Sequence, residues 1–246
     1  MKQEHIVSKV ALVTGGTRGI GAAIARGLKE AGYTVAASFV GNTAAAEEFR
    51  EETGIPVFRW DVGSSEECRR GVDEVTQALG PIEVLVNNAG ITRDRAFRKM
   101  SDEDWHVVMN TNLHSAFYMT RAVIEGMRER HYGRIINISS INGQRGRYGQ
   151  VNYSTAKAAL YGLTKALAME YARRGITVNA IAPGHIDTEI VRSSSPELVA
   201  SLLAEIPVGR LGTPEDIARC VCFLASEQAD FITGSTITAN GGTYLI

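Results

Sequence analysis

Val10-Ala11-Leu12-Val13-Thr14-Gly15-Gly16-Thr17-Arg18-Gly19-Ile20-Gly21 decides the fold of this chain. Val10–Thr14 is a short, nearly continuous apolar run, the pattern of a strand covered on both faces. A glycine cluster follows without a linker, and a helical pattern follows the glycines. Gly15 permits a sharp turn, Gly19 lets backbone approach a phosphate, and Gly21 lets the helix pack closely on the strand. The new helix offers free N–H groups and the positive end of its dipole to a pyrophosphate. Such a cluster alone marks any tight turn. At the first strand-to-helix junction of an alternating chain it points to a dinucleotide.

The alternation continues to the other end of the chain. Val10–Thr14, Thr34–Phe39, Ile55–Trp60, Glu83–Asn87, Arg134–Ser139, Thr177–Ala182 and Ser235–Thr238 are predicted strands. Amphipathic helices with clear starts lie between them. Ser64-Ser65-Glu66-Glu67 and Ser101-Asp102-Glu103-Asp104 read as capping boxes, in which hydroxyl and carboxylate satisfy first-turn N–H groups. Thr213-Pro214-Glu215-Asp216 places proline at the first helical position, where no N–H is needed. With no Pro/Ser-rich linker and no internal repeat, residues 1–246 are expected to form one α/β Rossmann domain. Its core is a doubly wound, seven-stranded parallel sheet with helices on both faces. Ligands then bind outside the carboxyl ends of the strands.

Composition narrows the function classes. The 246 residues are 44% hydrophobic, enough for a substantial core, and the formal net charge is −1. Lys and Arg are spread along the chain, which argues against nucleic acid as a partner, and no apolar run is long enough to span a bilayer. Met1-Lys2-Gln3-Glu4-His5-Ile6-Val7 lacks the apolar core of a signal peptide, so a cytoplasmic protein is expected. The three cysteines, Cys68, Cys220 and Cys222, have no framework spacing and fit a reducing compartment. Cys220 and Cys222, two apart on a predicted helix, point in different directions and read as small hydrophobes. His5, His106, His114 and His131 form no cluster with metal-ligand spacing, so no metal is expected. No Gly-x-Ser-x-Gly elbow marks a serine hydrolase.

The spacing Gly-x-x-x-Gly-x-Gly after Thr14 resembles the short-chain dehydrogenase/reductase family. Asn87-Asn88-Ala89-Gly90, Tyr153-x-x-x-Lys157 and Pro183-Gly184 match the same family in order and spacing, over essentially the whole chain. The resemblance implies a nicotinamide dinucleotide held by Gly15, Thr17, Arg18, Gly19, Ile20 and Gly21. Ser38 and Asn42 after the second strand join them, with Asp61 and Val62 at the adenine. Asn88, Ala89 and Gly90, then Tyr153 and Lys157, then Pro183, Gly184 and Ile186 complete the set. NAD enzymes usually place a carboxylate after the second strand to hold the ribose 2′-hydroxyl. No acidic residue occurs between Ala31 and Ala46, and Arg18 stands ready to pair with a 2′-phosphate. The cofactor expected is therefore NADPH/NADP+.

Reduction of a ketone needs hydride at carbon and a proton for the developing alkoxide. Tyr153 is the candidate proton donor. Lys157 follows four residues on, on the same helix face, where its charge favours the phenolate and lowers the tyrosine pKa. A Tyr–Lys pair at this spacing is ordinarily a stacked surface pair, but its company is not ordinary. Ser140 follows the fifth strand, where the family keeps the hydroxyl that orients the substrate carbonyl. Asn112 matches the helix asparagine that in relatives holds a water of the proton relay. A complete tetrad argues against a non-catalytic dinucleotide-binding regulator.

The substrate reading rests on loops. Asn88-Ala89-Gly90-Ile91-Thr92-Arg93-Asp94, Phe97-Arg98-Lys99-Met100, Ser140-Ile141-Asn142-Gly143-Gln144 and Gly149-Gln150-Val151-Asn152-Tyr153-Ser154 resemble the acetoacetyl-CoA reductases of polyhydroxybutyrate formation within this family. That resemblance implies a short 3-oxoacyl thioester reduced to the (R)-alcohol, contacted by Asp94, Ser140, Gln144, Tyr148, Gln150, Tyr153 and the residue at His185. Two features depart from the pattern: Arg145 and Arg147 make the approach basic, and His185 replaces a tyrosine. Arginines suit coenzyme A phosphates and an acidic carrier protein alike. A 3-oxoacyl-(acyl-carrier-protein) reductase therefore stays open, with Arg128, Arg130, Arg173 and Arg174 near where such enzymes meet their carrier. Residues 185–212 are expected to form a substrate lid. Ser193-Ser194-Ser195-Pro196 would hinge it, and a short helix would turn Leu198, Val199, Leu202 and Leu203 inward. Ala156, Ala159, Leu160, Leu163, Ala166 and Leu167 give the Tyr153 helix a broad apolar face, and relatives pair that helix across a dimer interface within a homotetramer.

Overall fold

The computed structural model describes residues 8–193 and 195–245. The Met1–Val7 stretch and Ser194 of the expected hinge lie outside them. The sheet contains β1 (Val10–Val13), β2 (Thr34–Phe39), β3 (Val57–Arg59), β4 (Ile82–Asn87), β5 (Gly133–Ile138), β6 (Ile176–Pro183) and β7 (Thr236–Ala239). All pairings are parallel, in the order β3-β2-β1-β4-β5-β6-β7, so the order reverses between β1 and β4. The helices are α1 (Gly19–Glu30), α2 (Thr43–Thr53), α3 (Ser65–Leu79), α4 (Asp102–Met109), α5 (Ser115–Arg130), α6 (Ile141–Arg145), α7 (Val151–Tyr171), α8 (Glu189–Arg192), α9 (Pro196–Ala204) and α10 (Pro214–Ala225).

The apolar strand runs have a direct cause. In β1, Ala11 and Val13 face a cluster with Ile24 and Leu28 of α1 and Val221 and Leu224 of α10. Val10 and Leu12 face the opposite cluster, with Val72 and Val75 of α3 and Met119 and Val123 of α5. Successive strand residues point to opposite faces, so a sheet covered on both sides admits no polar alternation. All seven predicted strands are present. The third is shorter than predicted, since Ile55 and Trp60 lie outside its ladder. Both are buried by side-chain packing, which is why the run is apolar.

The predicted helix starts are present with one change. Ser101 and Asp104 form a reciprocal capping box, and so do Thr213 and Asp216. At Ser64 only half of the box exists. The Ser64 hydroxyl accepts from Glu67 N–H, but the Glu67 carboxylate accepts from Asp61 N–H at 2.8 Å. The Ser64 N–H is already spent on the Asp61 carbonyl, so the short turn between them redirects the glutamate. Cys68 is buried, and burial pushes its thiol up to about 12, which keeps it inert. Cys220 and Cys222 are half-buried against the α1/α10 core. Among the described residues no helix is long and apolar enough to cross a membrane.

Candidate active site

The glycine loop and the turn after β4 are one hydrogen-bonded unit. The Thr14 hydroxyl accepts from the N–H groups of Asn88 (3.0 Å) and Ala89 (3.1 Å). The Asn88 amide donates back to the carbonyls of Thr14 (2.9 Å) and Gly15 (3.1 Å). Gly21 is obligatory there, because a Cβ on it would lie 2.1 Å from the Gly15 oxygen. Gly19 sits at φ +52°, and a Cβ there would meet nothing within 4 Å, so its backbone borders open space. Arg18, at the N-cap of α1, makes no side-chain capping bond and is exposed. The first-turn N–H groups of α1 therefore remain available for an anionic group. Thr17 is half-buried beside them, and Ile20 packs on the core beneath.

The neighbouring expected cofactor residues fall at the same end of the sheet. Ser38 is buried with an unpartnered hydroxyl at the end of β2. Asn42 caps α2 by accepting from Ala45 N–H (3.0 Å), and the first turn of α2 holds no acidic residue. Asp61 accepts from Gly63 N–H (2.8 Å), and Val62 is buried. Pro183 ends β6, and Gly184 N–H donates to the Ala239 carbonyl. Ile186 is buried and bridges to Gly212. An uncapped helix start, an open Gly19 cradle and an orphaned hydroxyl form a polar, anion-accepting groove that fits a dinucleotide phosphate and ribose.

The chain leaves β5 at Ile138 and turns through Ser139 and Ser140 into α6. The Ser140 hydroxyl accepts from Asn142 N–H (3.1 Å) and stands close enough to the Tyr153 phenol to draw its pKa down. Tyr153 and Lys157 stand one turn apart on α7, with the Lys157 Nζ 5.7 Å from the centre of the tyrosine ring. The ammonium donates to the Ile138 carbonyl at 2.7 Å. Among the described residues no carboxylate balances it, and burial lowers its pKa to about 8. Burial pushes the Tyr153 phenol up, the Ser140 bond draws it down, and the Asp94 carboxylate pushes it up again. The net direction is up, opposite to the lowering expected from Lys157, because burial outweighs the opposing effect of Ser140.

Asn112 lies in a π-helical segment, Asn110–His114, that joins α4 to α5. Its Oδ1 accepts from Ile91 N–H and its Nδ2 donates to the Ile91 carbonyl, both at 2.8 Å. A Cβ on Gly90 would lie 2.6 Å from that Oδ1 and 3.6 Å from Lys157 Nζ, so Gly90, Asn112 and Lys157 meet at one point. An asparagine is unfavourable in a helix interior, and this one is matched to a loop backbone. π-Segments are rare and occur frequently at functional sites.

Sequence reasoning missed the residues that brace this group. Ser139 donates to the Lys157 carbonyl and Tyr161 donates to the Ser140 carbonyl, each at 2.7 Å. A Cβ on Gly143 would lie 2.7 Å from the Lys157 carbonyl carbon, so α6 touches the α7 backbone only because residue 143 is glycine. Asn152, fully buried, donates to the carbonyls of Arg93 (3.1 Å) and Asp104 (3.0 Å). Tyr153, Lys157 and Tyr161 form a stripe at four-residue spacing, a signal visible in the sequence; the Gly143 contact had none.

The expected substrate residues separate into two groups. Gln150 donates to the Asp94 carboxylate (2.8 Å) and accepts from Asn142 (3.0 Å), which places both beside Tyr153. Gln144 reaches Thr238 of β7 (3.4 Å), and Tyr148 is 90% exposed. His185 faces Glu205 (3.4 Å), and Arg145 donates to the same carboxylate (3.2 Å). The segment from His185 is pinned at its base, since Gly212 N–H donates to the His185 carbonyl and Asp187 N–H to that of Gly212. In α9, Leu202 is buried and Val199 and Leu203 are half-buried, whereas Leu198 is exposed and falls outside the expected apolar underside. At the opposite, amino end of the sheet, Arg128 pairs with Glu125 and Arg130 donates to the Ile82 carbonyl, while Arg173 and Arg174 are exposed.

Comparison with known proteins gives three results. A family profile described as enoyl-(acyl carrier protein) reductase matches residues 15–244. The acetoacetyl-CoA reductase of Shinella zoogloeoides is 60% identical, covering 98% of this chain and 100% of the relative; that of Paracoccus denitrificans is 58% identical over the same shares. A 3-oxoacyl-[acyl-carrier-protein] reductase of Vibrio harveyi is 43% identical, covering 98% of this chain and 100% of the relative.

Proposed function

The chain belongs to the short-chain dehydrogenase/reductase family, and from that premise we propose that it reduces the C3 carbonyl of acetoacetyl-CoA to the (R)-3-hydroxy thioester with NADPH. One arrangement carries the reading: the Tyr153 phenol beside Ser140, a buried lysine one turn away that no described carboxylate pairs, and the Asp94–Gln150 pair near them. NADPH, when bound in the groove lined by Gly15–Gly21, supplies the hydride.

The side chains supply the rest of the reaction. Ser140 orients the carbonyl oxygen toward the phenol and stabilises the charge that grows on it. Tyr153 donates the proton. Its raised pKa keeps it protonated near neutral pH, which suits its role as donor, and Ser140 opposes the rise caused by burial. Lys157 offers a charge free of any carboxylate to the ribose and to the phenolate as it forms. Asn112 positions the Gly90–Ile91 backbone through its paired bonds. Asp94, Gln150, Gln144, Tyr148 and His185 surround the acyl and pantetheine arm, and residues 185–212 act as the lid that excludes water.

Preference for NADPH over NADH is supported by the exposed Arg18 and by the acid-free start of α2. The same reading makes the protein a cytoplasmic homotetramer. A carrier-protein thioester is the second reading, supported by the carrier-linked relative; the higher identity of the CoA reductases favours coenzyme A. The test compares kcat/KM for acetoacetyl-CoA and acetoacetyl-carrier protein, each with NADPH and NADH, in the native enzyme and in Tyr153→Phe. Preference for the CoA thioester and NADPH is expected, with almost no turnover from a folded Tyr153→Phe. Preference for the carrier overturns the substrate, and an active Tyr153→Phe overturns the mechanism.

A further inference from the structure

Two features of the approach, Arg145 and His185, stand apart from the reductase pattern, and the structure joins both to a third residue. Glu205 closes α9 and accepts from Arg145 at 3.2 Å while facing His185 Nε2 at 3.4 Å. Arg145 ends α6, the helix that begins at Ser140, and His185 follows the glycine after β6. One carboxylate at the end of α9 thus bridges two elements that lead directly to the reacting carbonyl. The His185 side chain is only 8% exposed, and burial lowers its pKa, so it meets Glu205 as a neutral ring. The ion pair that can be exchanged is that of Glu205 with Arg145. Arg147 stands beside them, exposed and, among the described residues, without an ion pair. Asp94, on the catalytic side, is held by Gln150.

We infer that Glu205 is a specificity-determining residue, an internal competitor that occupies Arg145 until the anionic phosphate end of a thioester substrate displaces it. The inference rests on the acyl-thioester reading above. Its chemical basis is simple. A guanidinium binds carboxylate and phosphate with the same fork of donors, so one can exchange for the other. Because Arg145 and Glu205 are partly exposed, their pair is weak enough to be exchanged. A substrate with a phosphate-bearing arm gains Arg145 and frees α9 from α6 in the same step. A thioester without phosphate gains neither.

The test measures KM and kcat for acetoacetyl-CoA and for the uncharged acetoacetyl-N-acetylcysteamine thioester at low salt. For Glu205→Gln, which keeps shape and removes charge, KM for the CoA thioester should fall about two- to five-fold, the range set by an exposed ion pair. The fall should be confined to the CoA thioester, so the ratio of the two KM values is the quantity read. Arg145→Ala should raise KM for the CoA thioester alone, and adding Glu205→Gln to it should change nothing further. Equal shifts for both substrates overturn the inference, as does a Glu205→Gln effect that persists without Arg145, which would make Glu205 a general field rather than a competitor. If the native enzyme reduces neither thioester, the functional reading itself fails, and that outcome is distinct from the other two.

Discussion

Lys157→Met should leave the protein without turnover yet more stable at neutral pH, and the gain should reverse in alkali. Burial holds the Lys157 pKa at about 8 instead of 10.5. Below pH 8 the side chain is protonated in both the folded and unfolded chain, and only the folded chain bears the uncompensated burial. The gap amounts to about 3 kcal/mol of lost stability. Methionine removes it but leaves the Ile138 carbonyl without its donor, at about 1–2 kcal/mol. The net expectation is a gain of about 1–2 kcal/mol at pH 7. Between pH 8 and 10.5 the folded native protein loses its proton before the unfolded one does. The unfolded state then binds more protons, so native stability rises with pH while the variant has no such term. Near pH 10.5 the variant should be the less stable of the two. Urea denaturation at one protein concentration, without cofactor and at several pH values from 7 to 10.5, reads both curves through the buried Trp60. A stability difference that does not change with pH would refute the placement of an uncompensated charge beneath the tyrosine.

Three further outcomes follow from contacts of the same site. Gly143→Ala forces α6 off the α7 backbone, so stability should fall by about 1–3 kcal/mol; kcat should fall further than NADPH affinity does, as stopped-flow turnover and cofactor titration will show. Asn152→Ala strips the carbonyls of Arg93 and Asp104 of a shared donor, which should cost about 1–3 kcal/mol in urea denaturation; it should also raise KM for the thioester by loosening the Asp94 loop. Arg18→Ala should lower kcat/KM with NADPH and leave that with NADH nearly unchanged; equal losses with both cofactors would remove Arg18 from the 2′-phosphate.

Much of the architecture was readable because each local pattern has one physical cause. Strands buried on two faces must be apolar throughout, and those runs marked all seven. The third was overread because Ile55 and Trp60 are apolar through packing beside the strand. The Ser101 cap was readable, whereas Glu67 left its predicted partner for Asp61, a choice made by a turn that spacing does not describe. The family resemblance named Ser140, Tyr153, Lys157 and Asn112. It could not say that Lys157 would be held by Ile138, or that the Asn112 amide would be spent on Ile91.

The glycine loop illustrates the division. By itself, the run from Val10 to Gly21 determined a strand, a turn and a helix start that accepts an anion, since these follow from backbone freedom and dipole over a few residues. Tertiary structure alone decided what surrounds it. Thr14 and Asn88 lie 74 residues apart and lock that loop, and Arg145 and Glu205 lie 60 apart and close the approach to the site. Such contacts depend on where the sheet order and the helices α6, α7 and α9 bring distant side chains. Local propensity carries no record of that distance, because a hydrogen bond or ion pair is set by position in space rather than by spacing in the chain.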